Sequence, residues 1–300
     1  SAARASATTP MSNWSLQNPM FRKLIEKTLG VDARRPIPKF KRPTFTRWFR
    51  THKNSGAGVP ACGVSHKVAL FIDVYANYNA PELGRAIVER LERAGCEIVL
   101  PEQRSSGYPY IAYGDLDRAR NAARYNVERL APYARDGYTI VSPEPTAVYS
   151  LRQSYVKLLD HSEDSEIVAA NSRELFDFLL EVEPEQPNET LPAERFGFHV
   201  SCHQRPLGSG EHAIEWLRRR GADIHLVETG TCCGMGGTFG LKAGPLGRDL
   251  SLAVGESLFA AFREAEVDAA VTESSVCKIQ LTDGLDIPIY HPLELLTLAQ

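Results

Sequence analysis

Three hundred residues suffice for two domains of ordinary size or one large one. With 43% hydrophobic and 24% charged residues the chain can bury a proper core and is not disordered overall. No apolar run approaches the roughly 18 residues of a membrane span, residues 1–10 lack the apolar stretch of a signal peptide, and six cysteines are too few and too unevenly placed for a disulfide scaffold. A reducing compartment, the cytoplasm, is therefore expected, with any membrane attachment made through partners. The net charge of −3 conceals an asymmetry: residues 22–53 hold eleven Lys or Arg against Glu26 and Asp32, so this arm carries +9 and the rest of the chain −12. Nucleic acid is one reading of such an arm. Phe21, Leu24, Ile25, Phe40, Phe45, Trp48 and Phe49, interleaved with the charges, favour docking onto the acidic body or a partner instead. The chain begins at Ser1 without Met, as one piece of a longer polypeptide would.

Residues 1–20 read as loose. Asn18 to Gly30 predicts a short helix, with Asn18 as N-cap, Pro19 in the first turn and Gly30 at its end. Pro36, Pro38 and Pro43 then predict an extended arm, and Thr51 to Ser65 reads as a polar, Gly-rich linker. Val68 to Tyr75 has the length and apolarity of a buried strand. Pro81 to Ala94 carries Leu83, Ile87, Val88 and Leu91 at helical spacing, ends at Gly95 and leads into the strand Glu97–Leu100. A second helical stretch, Leu116 to Ala134, feeds the strand Tyr138–Val141. Strand, helix and strand with short joints are the signature of a parallel α/β sheet.

The second half repeats the plan. Phe196–Val200 predicts a strand, Gly210–Arg220 a helix, Asp223–Val227 a strand, Ser251–Ala265 a helix and Asp268–Val271 a strand. Val74 aligns with Cys202, Ser105-Ser106-Gly107 with Cys232-Cys233-Gly234, and Ala147 with Cys277, at offsets of 128, 127 and 130. The chain is thus expected to be an α/β duplication in three parts: an arm and linker over 1–66, a first Rossmann-like parallel-sheet domain over 67–190, and a second over 191–300. Each cysteine of the second half's array meets Val, Ser, Ser or Ala in the first.

Cys232 and Cys233 sit side by side in Glu228-Thr-Gly-Thr-Cys-Cys-Gly-Met-Gly-Gly-Thr-Phe-Gly240. Adjacent thiols do not readily close a disulfide, because their Cα atoms are only about 3.8 Å apart, but both can turn toward one metal centre, and the glycines let the backbone approach it. Cys202, the pair and Cys277 all fall just past the C-terminal ends of predicted strands, the edge where open α/β sheets bind ligands. Thiolates select iron–sulfur clusters or Zn. A structural Cys₄ zinc site usually pairs its cysteines as C-x₂₋₄-C. Here 29 residues separate Cys202 from Cys232 and 43 separate Cys233 from Cys277, which favours a cluster over zinc. His203 is placed to hydrogen-bond a cluster sulfur. His199 and His225, inside predicted strands, read as core or surface fillers, Cys96 as a core thiol, and Cys62 as a linker residue that binds nothing. No P-loop is present, and the Gly234–Gly240 run lacks the G-x-G-x-x-G spacing.

Phe198-His-Val-Ser-Cys-His203, Thr231-Cys-Cys-Gly-Met-Gly-Gly-Thr-Phe-Gly240, Cys277-Lys-Ile-Gln280 and His291-Pro-Leu-Glu-Leu-Leu296 resemble the cysteine-rich CCG domain found in the B subunit of heterodisulfide reductase, the C subunit of anaerobic glycerol-3-phosphate dehydrogenase and the iron–sulfur subunits of glycolate oxidase. The resemblance runs from about residue 67 to 300, and residues 21–50 resemble the segment that follows a ferredoxin-type domain in long family members. It implies Cys202, Cys232, Cys233 and Cys277 as metal ligands. Ser274 stands where the family has the first cysteine of C-x-x-C, either as an alkoxide ligand or as a small hydrogen-bonding filler. One [4Fe–4S] cluster, cubane or noncubane, is the cofactor this implies, with Zn as the alternative. The first half, with Asp73 in place of a small turn residue, is expected to hold none. By the same resemblance the chain is an electron-transfer subunit or domain of an oxidoreductase, taking electrons from an FAD-bearing flavoprotein dehydrogenase and ferredoxin-type clusters and passing them to a quinone or disulfide. The arm over 22–53 would serve partly in docking those partners, with no role for nucleic acid. A structural or assembly module with Zn or no metal is the alternative.

Overall fold

The computed structural model describes residues 9–54, 66–183, 191 and 193–298. Cys62 and most of the expected linker lie outside them. Two compact units emerge, one built on residues 43–186 and 206–216, the other on 1–42, 187–205 and 217–300. The first contains a four-stranded sheet of β1 (His66–Leu70), β2 (Cys96–Val99), β3 (Thr139–Ser142) and β4 (Ser172–Glu174), all parallel and ordered β2-β1-β3-β4. The second contains β5 (Arg195–Phe198), β6 (Asp223–Leu226), β7 (Ala269–Val271) and β8 (Ile289–Tyr290), again parallel and ordered β6-β5-β7-β8. The registers show the duplication directly. Val68 pairs with Ile98 and Thr139 in the first sheet, and Phe196 pairs with Ile224 and Ala269 in the second.

The chemistry of these strands follows from their position. Val68, Ala69 and Leu70 are all buried, as are Phe196, Gly197 and Phe198, because helices cover both faces of a parallel sheet along its central strands. The helix Pro81–Arg93 has Pro81 at its start and buries Leu83, Ile87, Val88 and Leu91, and Gly95 after it takes φ +76°. Two elements differ from the sequence expectation. The apolar run from Val68 stops being a strand at Leu70: the Asp73 carboxylate accepts from the Val74 amide at 2.7 Å and caps a short helix, Val74–Tyr78. Residues 11–17, read as loose, form a helix.

The basic arm docks on the chain itself. Asn18 Oδ1 accepts from the amides of Met20 and Phe21 and starts the helix Pro19–Leu29, which Gly30 ends at φ +67°. Val31 then bridges antiparallel to Lys242, the Asp32 amide donates to Leu241 O at 2.9 Å, and the Ala243 amide donates to Gly30 O at 2.7 Å. The buried Arg22 guanidinium donates to the carbonyls of Asp32, Ala33 and Arg35 and holds this turn in shape. Within the other unit, the helix Phe45–Asn54 buries Phe45 and Phe49. The Phe45 ring lies where a Cβ on Gly84 would be only 2.4 Å away, so Gly84 is what lets the two helices meet. None of the described helices is long and apolar enough to cross a membrane.

Candidate metal centre

The C-terminal edge of the second sheet is assembled from three turns. Just past β5, Gln204 is fully buried: its Oε1 accepts from the Ser201 amide at 2.9 Å and its Nε2 donates to Glu273 at 2.5 Å. That contact ties the Cys202 turn to the loop after β7. Arg205 ties it to the Cys-Cys loop, donating to the carbonyls of Gly230 at 2.9 Å and Thr231 at 3.2 Å. The Cys-Cys loop is in turn pressed onto the helix Leu250–Glu264. A Cβ on Gly255 of that helix would stand 2.5 Å from Cys233 O, and one on Gly234 would stand 2.1 Å from Ser251 O. Gly234, Gly236 and Gly237 all have positive φ, a path L side chains resist.

This assembly brings the four cysteines together. Sγ of Cys233 and of Cys277 lie 3.2 Å apart and both residues are buried, whereas Cys232 is partly buried and Cys202 exposed. Hydrogen bonds run along the array from Cys202 to Cys232, on to Cys233 and on to Cys277. Thiols linked in such a row cannot all ionise, and they divide. Donation from Cys202, reinforced by Cys233, pulls the Cys232 thiol far below its ordinary range; donation from Cys233 pulls Cys277 down to about 5; Cys202 and Cys233, as donors, are pushed up. The Gly234 amide, 3.4 Å from Cys232 Sγ, adds to the first effect. Cys277 also lies in the first turn of the helix Ser275–Gly284, whose N-terminal dipole favours an anion. The hydrogen bonds along the array thus favour the thiolate at Cys232 and Cys277, and thiolate is the form that binds a metal.

Ser274 is buried as N-cap of that helix, its hydroxyl hydrogen-bonded to the Cys277 sulfur. His203 is half-buried; burial holds its imidazole below the ordinary range, against the pull of Cys232. The residue that sequence reasoning passed over is His199. It is one residue past the end of β5, its amide bonded to Val271 O at 2.8 Å. One ring nitrogen lies within 4.8 Å of both Cys233 and Cys277 Sγ. His199 is 2% exposed, and its Nε2 has no hydrogen-bond partner among the described residues. Such a vacancy ordinarily costs about 1–3 kcal/mol. The ring also hydrogen-bonds the Cys277 sulfur, and buried soft sulfurs beside an imidazole suit a soft or borderline metal. The signal available in the sequence was position: His199 falls at the same strand end as Cys202. His225, by contrast, is a surface residue paired with Asp223 at 3.0 Å, and Cys96 is a core thiol whose burial raises it to about 12.

The corresponding edge of the first sheet is filled by a hydrogen-bond network. Asp73 Oδ2 accepts from Ser106 Oγ at 2.6 Å, Tyr155 OH donates to Ser106 O at 2.8 Å, and Asn126 Nδ2 donates to that phenol oxygen at 2.8 Å. Ala147, at the position of Cys277, is fully buried. Tyr155→Phe is expected to lower stability by about 1–3 kcal/mol, because it leaves Asn126 and the Ser106 carbonyl each short of a buried partner. A shift in the urea midpoint of that size checks it; an unchanged midpoint would show the network to be slack.

A duplicated parallel α/β protein with a thiol array at one of its two sheet edges is the class defined by this fold and site. The sequence profile of the CCG cysteine-rich domain matches residues 196–282, the half that bears the array. The C subunit of anaerobic glycerol-3-phosphate dehydrogenase from Escherichia coli K12 is 29% identical over 299 residues, covering 97% of this chain and 72% of that protein. Lactate utilization protein A of Halalkalibacterium halodurans is 33% identical over 193 residues, covering 61% of this chain and 77% of that one, and its counterpart in Geobacillus kaustophilus is 28% identical over 243 residues, covering 77% and 98%. The chain belongs to the CCG cysteine-rich domain family.

Proposed function

We propose that the chain is the iron–sulfur electron-transfer part of a multi-component oxidoreductase, standing between a flavoprotein dehydrogenase and a quinone- or disulfide-type acceptor. The observation that carries this is the run of four contacting sulfurs at the C-terminal edge of the second sheet. Similarity to one component of a dehydrogenase over 97% of the chain supports it. Cys202, Cys232, Cys233 and Cys277 would hold the cluster. When bound, a cluster supplies a one-electron couple whose potential is set by burial and by hydrogen bonds to its sulfurs.

The protein's own part is to supply those settings. Burial of Cys233 and Cys277 keeps water from the inner side, and the Gly234 amide and the Ser274 hydroxyl donate toward sulfur. Donation of that kind stabilises the more negative, reduced state and raises the potential. Exposed Cys202, with His203 beside it, is the side on which a partner's redox centre would approach. Substrate oxidation would belong to a partner carrying FAD and to ferredoxin-type clusters, engaged in part by the basic residues of the arm. A second reading, a zinc staple in an assembly module, is favoured by one observation, the mixed nitrogen and sulfur donors around His199.

Anaerobically prepared protein is expected to be brown, to bleach on reduction and to develop an EPR signal as it bleaches. Colourless protein that dithionite does not alter would remove the electron-transfer role.

A further inference from the structure

The inner side of the thiol array carries two sulfurs. Cys233 and Cys277 form its buried pair, and at position 274, three residues before Cys277 on the cap of the same helix, the side chain is a serine. That serine is engaged as a hydrogen-bond partner of Cys277, and its hydroxyl is a hard donor at neutral pH, ill matched to the soft metals thiolates select. Beside the same pair stands an imidazole. His199 is held by the end of β5, the central strand flanked by β6 and β7, so its position is fixed by the sheet. One of its ring nitrogens lies within 4.8 Å of both sulfurs, the three donor atoms forming a compact triangle.

We propose that His199 is a ligand of the metal centre, adding an imidazole nitrogen to the inner sulfurs of Cys233 and Cys277 where position 274 offers only a hydroxyl. Two independent observations meet here. The triangle with Cys233 and Cys277 places one ring nitrogen beside both inner sulfurs, with the ring hydrogen-bonded to Cys277, and the buried Nε2 has no partner among the described residues, so the ring is not a fully satisfied core histidine. A ring kept for packing would normally have both nitrogens paired or one turned to water; this ring is 2% exposed. Neutral imidazole also suits both metals the array admits, since Zn and iron–sulfur centres each accept histidine beside cysteine. The centre would then be of mixed ligation, with a higher potential than an all-thiolate cluster, because a neutral ligand replaces an anionic one. Cys202 and Cys232 would complete it from the exposed side.

This inference rests on the reading of the array as a metal centre, and the test separates the two. The full chain, freed of metal under argon, is titrated with Co(II), and the complex is examined by optical absorption and by pulsed EPR with and without ¹⁵N-histidine labelling. Wild-type protein is expected to show thiolate-to-cobalt charge-transfer bands and a nitrogen coupling that changes isotope with the label. His199→Gln, which keeps the polarity and much of the volume, is expected to keep the bands, lose the coupling and bind Co(II) at least tenfold more weakly. His199→Cys, which restores a soft donor and guards against a misfolded first variant, is expected to bind strongly without the coupling. If wild-type protein shows no charge-transfer bands, the metal-centre reading falls and the inference with it. If the bands appear but His199→Gln retains the nitrogen coupling and the affinity, the inference alone is overturned.

Discussion

Gly234→Ala is expected to be the most damaging single-methyl change in the second unit, lowering stability by about 2–5 kcal/mol. Two effects add. Gly234 has φ +89°, where an L side chain pays about 1–2 kcal/mol against the carbonyl beside it. The added Cβ would also stand 2.1 Å from Ser251 O and 2.9 Å from Gly255 N. Both are backbone atoms of the helix that supports the loop, so relief requires moving the loop or the helix, at about 1–3 kcal/mol more. Moving the loop takes the Gly234 amide away from Cys232 Sγ and separates Cys233 from Cys277, so metal retention should fall with stability. Gly237→Ala is the control: φ is +66° but a Cβ there would have nothing within 4 Å, so only the conformational cost remains. Thermal melts and metal analysis of the two variants distinguish these contributions. Equal losses would show that the close approach to Ser251 does not matter.

Arg35→Ala is expected to cost about 2–4 kcal/mol and to loosen the thiol loop from behind. The Arg35 side chain is fully buried. Its Nη1 donates to Asp283 at 2.6 Å, and its Nη2 donates to the Gln280 carbonyl oxygen and contacts Met235 Sδ. Gln280 in turn donates to Ser251 O at 2.9 Å, the carbonyl against which Gly234 is packed. Breaking a buried ion pair from one side typically costs about 3–5 kcal/mol; Arg248, which holds both Asp283 oxygens at 2.8 Å, keeps the carboxylate neutralised and trims that figure. Arg35→Lys should rescue little, since one ammonium cannot fork to both partners. Arg34→Ala, whose side chain is 56% exposed although it pairs with Asp32 and Asp249, should cost under about 1 kcal/mol. Chemical denaturation of the three variants decides it, and an Arg35→Ala protein as stable as Arg34→Ala would refute the keystone role.

The duplication and the thiol array were legible in the sequence because both leave strong local marks. Central strands of a parallel sheet are buried on both faces and read as apolar runs, so β1, β3, β5 and β7 were placed to within a few residues. The fourth strand of each sheet was not. Ser172–Glu174 and Ile289–Tyr290 have three and two residues, too few for a hydrophobic pattern, and they are strands only because β3 and β7 lie beside them. The sequence pattern puts His199 inside a strand, as a filler, but β5 ends at Phe198 and leaves the imidazole at the edge where ligands bind. Arg35 was one of eleven basic residues in an arm read by its total charge. Nothing in the sequence distinguishes the arginine that becomes buried, because its partners, Gln280 and Asp283, are some 245 positions away.

The central claim is that the second sheet's thiol array holds an iron–sulfur cluster, and metal and sulfide analysis of anaerobically prepared chain tests it most directly. About four irons with matching acid-labile sulfide per chain, both lost in Cys233→Ser and Cys277→Ser, is the result predicted. One zinc per chain without sulfide, or iron retained in both serine variants, would contradict it.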